Sequence, residues 1–208
     1  LAFVAAAAGE PRDTEGQRGP QRSDVQSYMV VDGTLTFDFA ADALERIGIG
    51  FVPLGDVNSQ ESDGDVAHVS SVTFEVDASS DIEIETRRGR FDRIKGGRLS
   101  TCGALLLDRP GERVVVGNLA IEVDRSGSLT LVSTLDPDDR SEPLFDLTSV
   151  AIQFSAAEGE LQLLGEIGIS DSWADVLDLP ELRGLVVGVV TVEAELSSIG
   201  QPAAEPGG

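Results

Sequence analysis

The chain has 208 residues, 41% of them apolar and 25% charged, and its 37 acidic against 15 basic side chains leave a formal net charge of −22. That length gives one domain with a core of its own and falls short of two. The charge repels phosphate backbones and anionic lipid headgroups, which excludes nucleic acid as a partner, and no apolar run reaches the roughly 18–20 residues of a membrane-spanning helix.

The first segment, Leu1-Ala-Phe-Val-Ala-Ala-Ala-Ala8, is apolar and alanine-rich and is followed at once by Gly9-Glu10-Pro11. It reads as the tail of a secretory signal ending in small residues, and so predicts an exported, secreted or surface-displayed protein. Residues 9–24 carry almost no apolar side chain and are predicted to be a solvated linker. The Pro/Gly/Ala-rich residues 199–208 are predicted to be a second one. The domain is expected over residues 25–198.

Within those bounds apolar and polar residues alternate, as in a strand with one face in the core and one in water. Leu35, Phe37 and Phe39 set the beat, and Ala40–Ile47, stopped by Gly48, then breaks it as a short helix. The alternation returns at Val72/Phe74/Val76, Ile82/Ile84, Leu105/Leu107, Val114/Val116, Leu119/Ile121/Val123, Leu129/Leu131, Ile152/Phe154 and Leu161/Leu163. Ser170–Leu177 suits a second helix with a serine or aspartate cap. Val190, Val192, Ala194 and Leu196 close the pattern. Gly-bearing links at 109–112, 125–128 and 157–160 suit hairpins. Strands that are polar on one face exclude a doubly wound parallel sheet, whose strands are apolar on both. The expectation is a mainly antiparallel β-sandwich or rolled sheet of about ten strands with two short helices. Both helices carry Ala-Asp-x-Leu (residues 41–44 and 174–177), a hint of a repeated strand-then-helix unit.

Catalytic chemistry finds little support. His68 is the single histidine and Cys102 the single cysteine, too few for a catalytic triad beside any nucleophile motif, for a structural zinc site or for an internal disulfide. Cys102 is expected to be a small buried hydrophobe on a strand. One Trp and one Tyr leave no aromatic platforms for a glycosidase. Carboxylates clustered in turns are the ligands calcium prefers, and two loops offer them: Asp63 with Asp65, and Asp136, Asp138 and Asp139 with Glu142. Neither follows the EF-hand register, and solvated acidic turns account for both.

One basic island, Arg87, Arg88, Arg90, Arg93, Lys95 and Arg98, holds six of the fifteen cations within residues 87–98. It is read as an exposed loop balancing Glu83 and Glu85, or as a contact for a polyanion or an acidic partner. Trp173 is read as a helix anchor or as a stacking surface for a ligand.

The phrases Gly97-Arg-Leu-Ser-Thr-Cys-Gly-Ala-Leu-Leu-Leu107, Val114 to Asp124, Pro143-Leu-Phe-Asp-Leu147 and Ile169-Ser-Asp-Ser-Trp-Ala-Asp-Val-Leu177 resemble, in order and spacing, the HtaA-type domains of bacterial haem uptake and related secreted β-rich proteins. The resemblance covers roughly residues 25–196. It implies that an early-strand tyrosine ligates iron, a position Tyr28 fills, with support from a histidine in a His-x-Gly-like phrase. Here that phrase is Thr101-Cys102-Gly103, without histidine. The sequence therefore argues against haem and for no cofactor beyond a calcium option. The expected function is an exported, non-catalytic binding or structural module. The alternatives are capture of haem or another small ligand, with Tyr28 and Trp173 as contacts, and self-assembly by strand exchange.

Overall fold

The computed structural model describes residues 23–54, 58–61, 69–87, 90–124, 126–133 and 142–199. In chain order the elements are β1 (Ser23–Phe39), α1 (Ala41–Ile47), β2 (Gly50–Leu54), β3 (Asn58–Glu61), β4 (Val69–Glu75), β5 (Asp81–Arg87), β6 (Arg90–Ser100), β7 (Ala104–Arg109), β8 (Glu112–Gly117), β9 (Ala120–Val123), β10 (Leu129–Ser133), β11 (Glu142–Ser155), β12 (Glu160–Ile169), α2 (Asp171–Val176), a 3-10 turn (Pro180–Leu182) and β13 (Val186–Ser198).

Ten strands form one antiparallel sheet in the order β13-β12-β11-β10-β9-β6-β5-β1-β4-β3, and β13 also pairs with β1. That last pairing, from Tyr28↔Ser198 to Phe39↔Gly188, closes eight of the strands into a barrel. Of the expected sandwich or rolled sheet, the sandwich is corrected: the sheet rolls up and closes, because β1 and β13 find each other across the length of the chain, and closure removes two strand edges that would otherwise stand unpaired. The mainly antiparallel β class and the two short helices are as the alternation indicated.

β1 organises the closure. Its first half pairs with β5, from Ser23↔Arg87 to Met29↔Asp81, and its second half with β4, from Thr34↔Glu75 to Asp38↔Ser71. β4 and β5 thus lie end to end along one edge of β1 while β13 occupies the other. Residues directly opposite in a ladder share a face, so the inward set of β1 (Tyr28, Leu35, Phe37) meets Ile82, Phe74 and Val72, all buried in the lumen. The acidic residues of the alternating positions, such as Glu83, Glu193 and Glu195, cover the outside.

A second sheet, β2-β7-β8, and helix α2 cap one end of the barrel through a run of rings. Phe39 stacks on Phe51 at 4.6 Å, Phe51 meets Phe145 edge-on at 6.3 Å, and Phe145 stacks on Trp173 at 5.3 Å. Arg109 Nη1 donates to the Leu177 carbonyl at 2.8 Å and ties the small sheet to α2. The helices form for local reasons. Ser170 Oγ accepts from the Trp173 N–H at 3.1 Å as an N-cap, and Gly48 ends α1 in the left-handed region at φ 68°, where its N–H reaches the Leu44 and Glu45 carbonyls. Each helix follows a long strand, β1 or β12.

The opposite end of the barrel carries the start of β1, the end of β13 and the tight β5–β6, β9–β10 and β11–β12 connections, and is here the turn end. The basic island is corrected here from loop to strand, since most of it lies on β6. Bulges in the β5–β6 ladder at Glu83/Ile84 and Glu85/Thr86, together with Gly96-Gly97, break the period of two and hid that strand.

Candidate functional site

The site is built at the turn end from β1, β5, β6 and β11. Gln26, opposite Ile84, and Tyr28, opposite Ile82, lie on the inward face of β1, and the Tyr28 hydroxyl donates to Gln26 Oε1 at 3.1 Å. The hydroxyl is therefore turned toward the turn end. Across the lumen the Tyr28 ring meets Phe154 of β11 edge-on, with centroids 5.2 Å apart and planes at 71°. Phe154 in turn meets Phe91 of β6 at 6.4 Å. Phe91 sits opposite Thr86 near the end of the β5–β6 ladder.

Tyr28 is 5% exposed, and burial pushes its phenol above the ordinary value because the phenolate is the form that loses water. Gly97 lies opposite Ile82 on this level of the barrel. Its φ of +116°, and the mere 2.5 Å that would separate a Cβ from the Asp81 carbonyl, leave room for no other residue.

The basic island frames this end. Arg87 and Arg90 are directly opposite each other at the close of the β5–β6 hairpin; Arg88 lies outside the described residues. Arg87 pairs with Asp92 at 3.3 Å, Arg93 Nε with Glu85 at 2.7 Å, and Arg98 Nη1 with Glu122 at 2.5 Å. The balancing carboxylates are thus Glu85, Asp92 and Glu122, where the sequence had suggested Glu83 and Glu85. Arg90 and Lys95 are exposed.

Other expected contacts fall elsewhere. Trp173 is 5% exposed at the capped end, stacked on Phe145, with its buried Nε1 lacking a hydrogen-bond partner among the described residues. The cavity beside it, about 10 Å³ and lined by apolar side chains including Leu44, Phe51 and Leu107, holds at most a water. Trp173 and Tyr28 are not brought together.

Cys102 is exposed rather than buried, which corrects its reading as a core hydrophobe: it follows the end of β6, and its thiol donates to Asp77 Oδ2 at 3.5 Å. Thr101 is bridged to Val76 and donates to the Leu119 carbonyl at 2.9 Å. Gly97 is level with Tyr28, and Thr101 lies four residues further from the turn end, about 13 Å at the rise of a strand. The phrase Thr101-Cys102-Gly103 is therefore on the far side of Tyr28 from its hydroxyl.

Of the calcium candidates, Asp63, Asp65, Asp136, Asp138 and Asp139 lie outside the described residues, as does His68, and Glu142 is an exposed residue at the start of β11. No cluster of three or more His, Cys, Asp or Glu suited to a metal occurs among the described residues. Among those residues no helix is long and apolar enough to cross a membrane.

No protein-family model matches the chain, and no curated protein matches it in sequence. Solved structures do. The C-terminal domain of HtaA from Corynebacterium glutamicum superposes with a TM-score of 0.51 at 13% identity, covering 82% of this chain and 99% of that one. The fold is that of the HtaA-type domains. The haem binding protein HtaB from the same organism gives a TM-score of 0.52 at 10% identity, over 86% of this chain and 98% of that one.

The HtaA-like architecture corrects the expectation that haem is disfavoured. A missing histidine at residues 101–103 was the ground for it, yet a protein that shares this fold carries haem in its name. The HtaA-like lumen meanwhile presents an inward phenol with phenylalanine rings beside it. Sequence reasoning found Tyr28 and missed the significance of Gln26, Phe91 and Phe154, which are far apart in the chain and meet only through barrel closure.

Proposed function

We propose that this chain is a non-catalytic ligand-capture module, displayed at or beyond the cell surface, and that its cargo is haem, held at the turn end of the barrel. The observation that carries the reading is the set Tyr28, Phe154 and Phe91: a phenol oxygen aimed toward the turn end, with the Phe154 ring against it and the Phe91 ring against Phe154. Phenolate oxygen is a ligand for ferric haem, and aromatic rings suit the faces of a flat macrocycle. The surface address carries over from the resemblance read in the sequence.

The residues present fit the group in a defined way. Tyr28 would supply an oxygen ligand to the iron, Gln26, which accepts the hydroxyl's hydrogen bond at 3.1 Å, would hold the neutral phenol before it loses its proton, and Phe91 and Phe154 would line the approach. Because Tyr28 is 5% exposed and Phe154 packs edge-on against its ring, a planar ligand would reach the oxygen only if Phe154 moved aside. A phenol that must give up its proton to ligate iron would hold the ligand more tightly as pH rises.

Titration of ferric haem into the protein, followed by absorbance, tests this. The expected result is a saturable Soret shift at one haem per chain that is lost in Tyr28→Phe. No saturable shift, or one that Tyr28→Phe leaves unchanged, contradicts it.

A further inference from the structure

We propose that the barrel wall is split along one seam, between β6 and β11, and that the ligand enters sideways through it, with Phe91 and Phe154 as the latch; the inference rests on the haem reading of Tyr28. β9 and β10 fill the wall between β6 and β11 only over the half nearer the capped end. β9 pairs with β6 from Gly97↔Val123 to Ser100↔Ala120, and β10 pairs with β11 from Thr130↔Asp146 to Ser133↔Glu142. The turn from Asp124 to Ser128 ends that hairpin, and a Cβ on its Gly127 would stand 3.7 Å from the Ile94 carbonyl oxygen. Beyond the turn, β6 and residues 147–155 of β11 come together with no ladder between them among the described residues. The contact that joins them there is between side chains, Phe91 and Phe154 at 6.4 Å.

Burial marks the same line. Ile152 is opposite Leu163 and Phe154 opposite Leu161, while Val123 and Ile82 are both opposite Gly97, so these side chains share the inward face. Along the seam the inward residues Phe91, Val123, Val150, Ile152 and Phe154 are half-buried against the core. In the laddered wall Ile82, Ile84, Leu161 and Leu163 are 0–1% exposed. Both strands of the seam are also bulged: the β5–β6 ladder shifts at Glu83/Ile84 and Glu85/Thr86, and the β11–β12 ladder between Thr148 and Ala151, where β11 parts from β10. Bulges bend a strand and end its pairing. Elsewhere in the wall, parting two strands breaks ladder hydrogen bonds, whereas parting β6 from β11 here breaks an aromatic contact. Phe154 can then swing clear of Tyr28 while the capped end stays closed, and a flat ligand enters edge-first without a preformed cavity of its size.

The test follows ferric haem by stopped-flow absorbance on wild type, Phe91→Ala, Val31→Ala and Tyr28→Phe, with amide exchange of the ligand-free protein read by NMR. The seam-side N–H groups of residues 90–96 and 147–155 are expected to exchange on the order of 100-fold faster than those of β12, which is laddered on both sides. Phe91→Ala opens the latch and is expected to raise the association and dissociation rates together, roughly two- to tenfold, with little change in affinity. Val31→Ala, at an exposed position outside the barrel on β1, is expected to change neither rate. Seam amides as protected as those of β12 mean a closed wall and overturn the inference. An association rate that Phe91→Ala leaves unchanged also overturns it, because a ring that only touches bound ligand alters dissociation alone; the Tyr28 reading stands in both cases. Equal effects of Phe91→Ala and Val31→Ala reduce the latch to general loosening and overturn it too. If wild type shows no saturable haem binding, or Tyr28→Phe binds undiminished, the haem reading itself falls and takes the route with it.

Discussion

Replacing Phe154 with alanine removes the ring that covers Tyr28 from across the lumen. Complete burial makes Phe→Ala worth about 3–5 kcal/mol. Phe154 is half-buried and contacts Tyr28 at 5.2 Å and Phe91 at 6.4 Å, so the expected cost is roughly half that, about 2 kcal/mol. For a chain of this size that lowers Tm by about 4–8 °C.

The same change lets water onto the phenol. Its pKa is raised by burial, and the variant should bring it back toward the ordinary tyrosine value. A raised folded-state pKa contributes stability that is fully present below the unfolded value near 10 and is lost as pH rises through the folded value. Wild type should therefore lose stability in the alkaline range, and the variant should lose less there. The chain has one tyrosine, so phenolate absorbance during a pH titration reports Tyr28 alone, with denaturant unfolding giving the stability. A tyrosine that titrates at the same pH in wild type and Phe154→Ala would refute the idea that this ring desolvates it.

Gly97→Ala places a Cβ 2.5 Å from the Asp81 carbonyl and 2.6 Å from the Ile82 Cα, at φ +116°, and should cost about 2 kcal/mol or more in denaturant unfolding. Ser170→Ala removes both the cap accepted from the Trp173 N–H and the bond donated to the Pro143 carbonyl at 2.8 Å. It should cost about 1–2 kcal/mol and, because α2 is at the capped end, leave ligand affinity at Tyr28 untouched.

What the sequence disclosed was local. Leu35/Phe37/Phe39, Val72/Phe74/Val76 and Val190/Val192/Ala194 announce strands because each has one wet face, and all are buried in the structure, on strands except for Val76, which forms a bridge just past the end of β4. Both helices were legible from a broken alternation and from their ends, Gly48 and Ser170. β6 was not, because ladder bulges and paired glycines shift its apolar residues out of phase. β2 and β3 are short edge strands with little alternation to detect.

Closure of the barrel was invisible for a different reason. The pairing of β1 with β13 joins residues near 30 to residues near 195, and a local pattern carries no register over that distance. The site inherits that blindness. Tyr28 stood out as the sole tyrosine on an early strand, but Phe91 and Phe154 looked like ordinary strand residues until the lumen brought Phe154 against Tyr28 and Phe91 against Phe154.

The most direct test of the account is resonance Raman spectroscopy of the ferric haem complex. Because this chain has one tyrosine, iron–phenolate modes can arise only from Tyr28. The account predicts those modes in wild type and their disappearance in Tyr28→Phe; a haem complex that lacks them in wild type would contradict it.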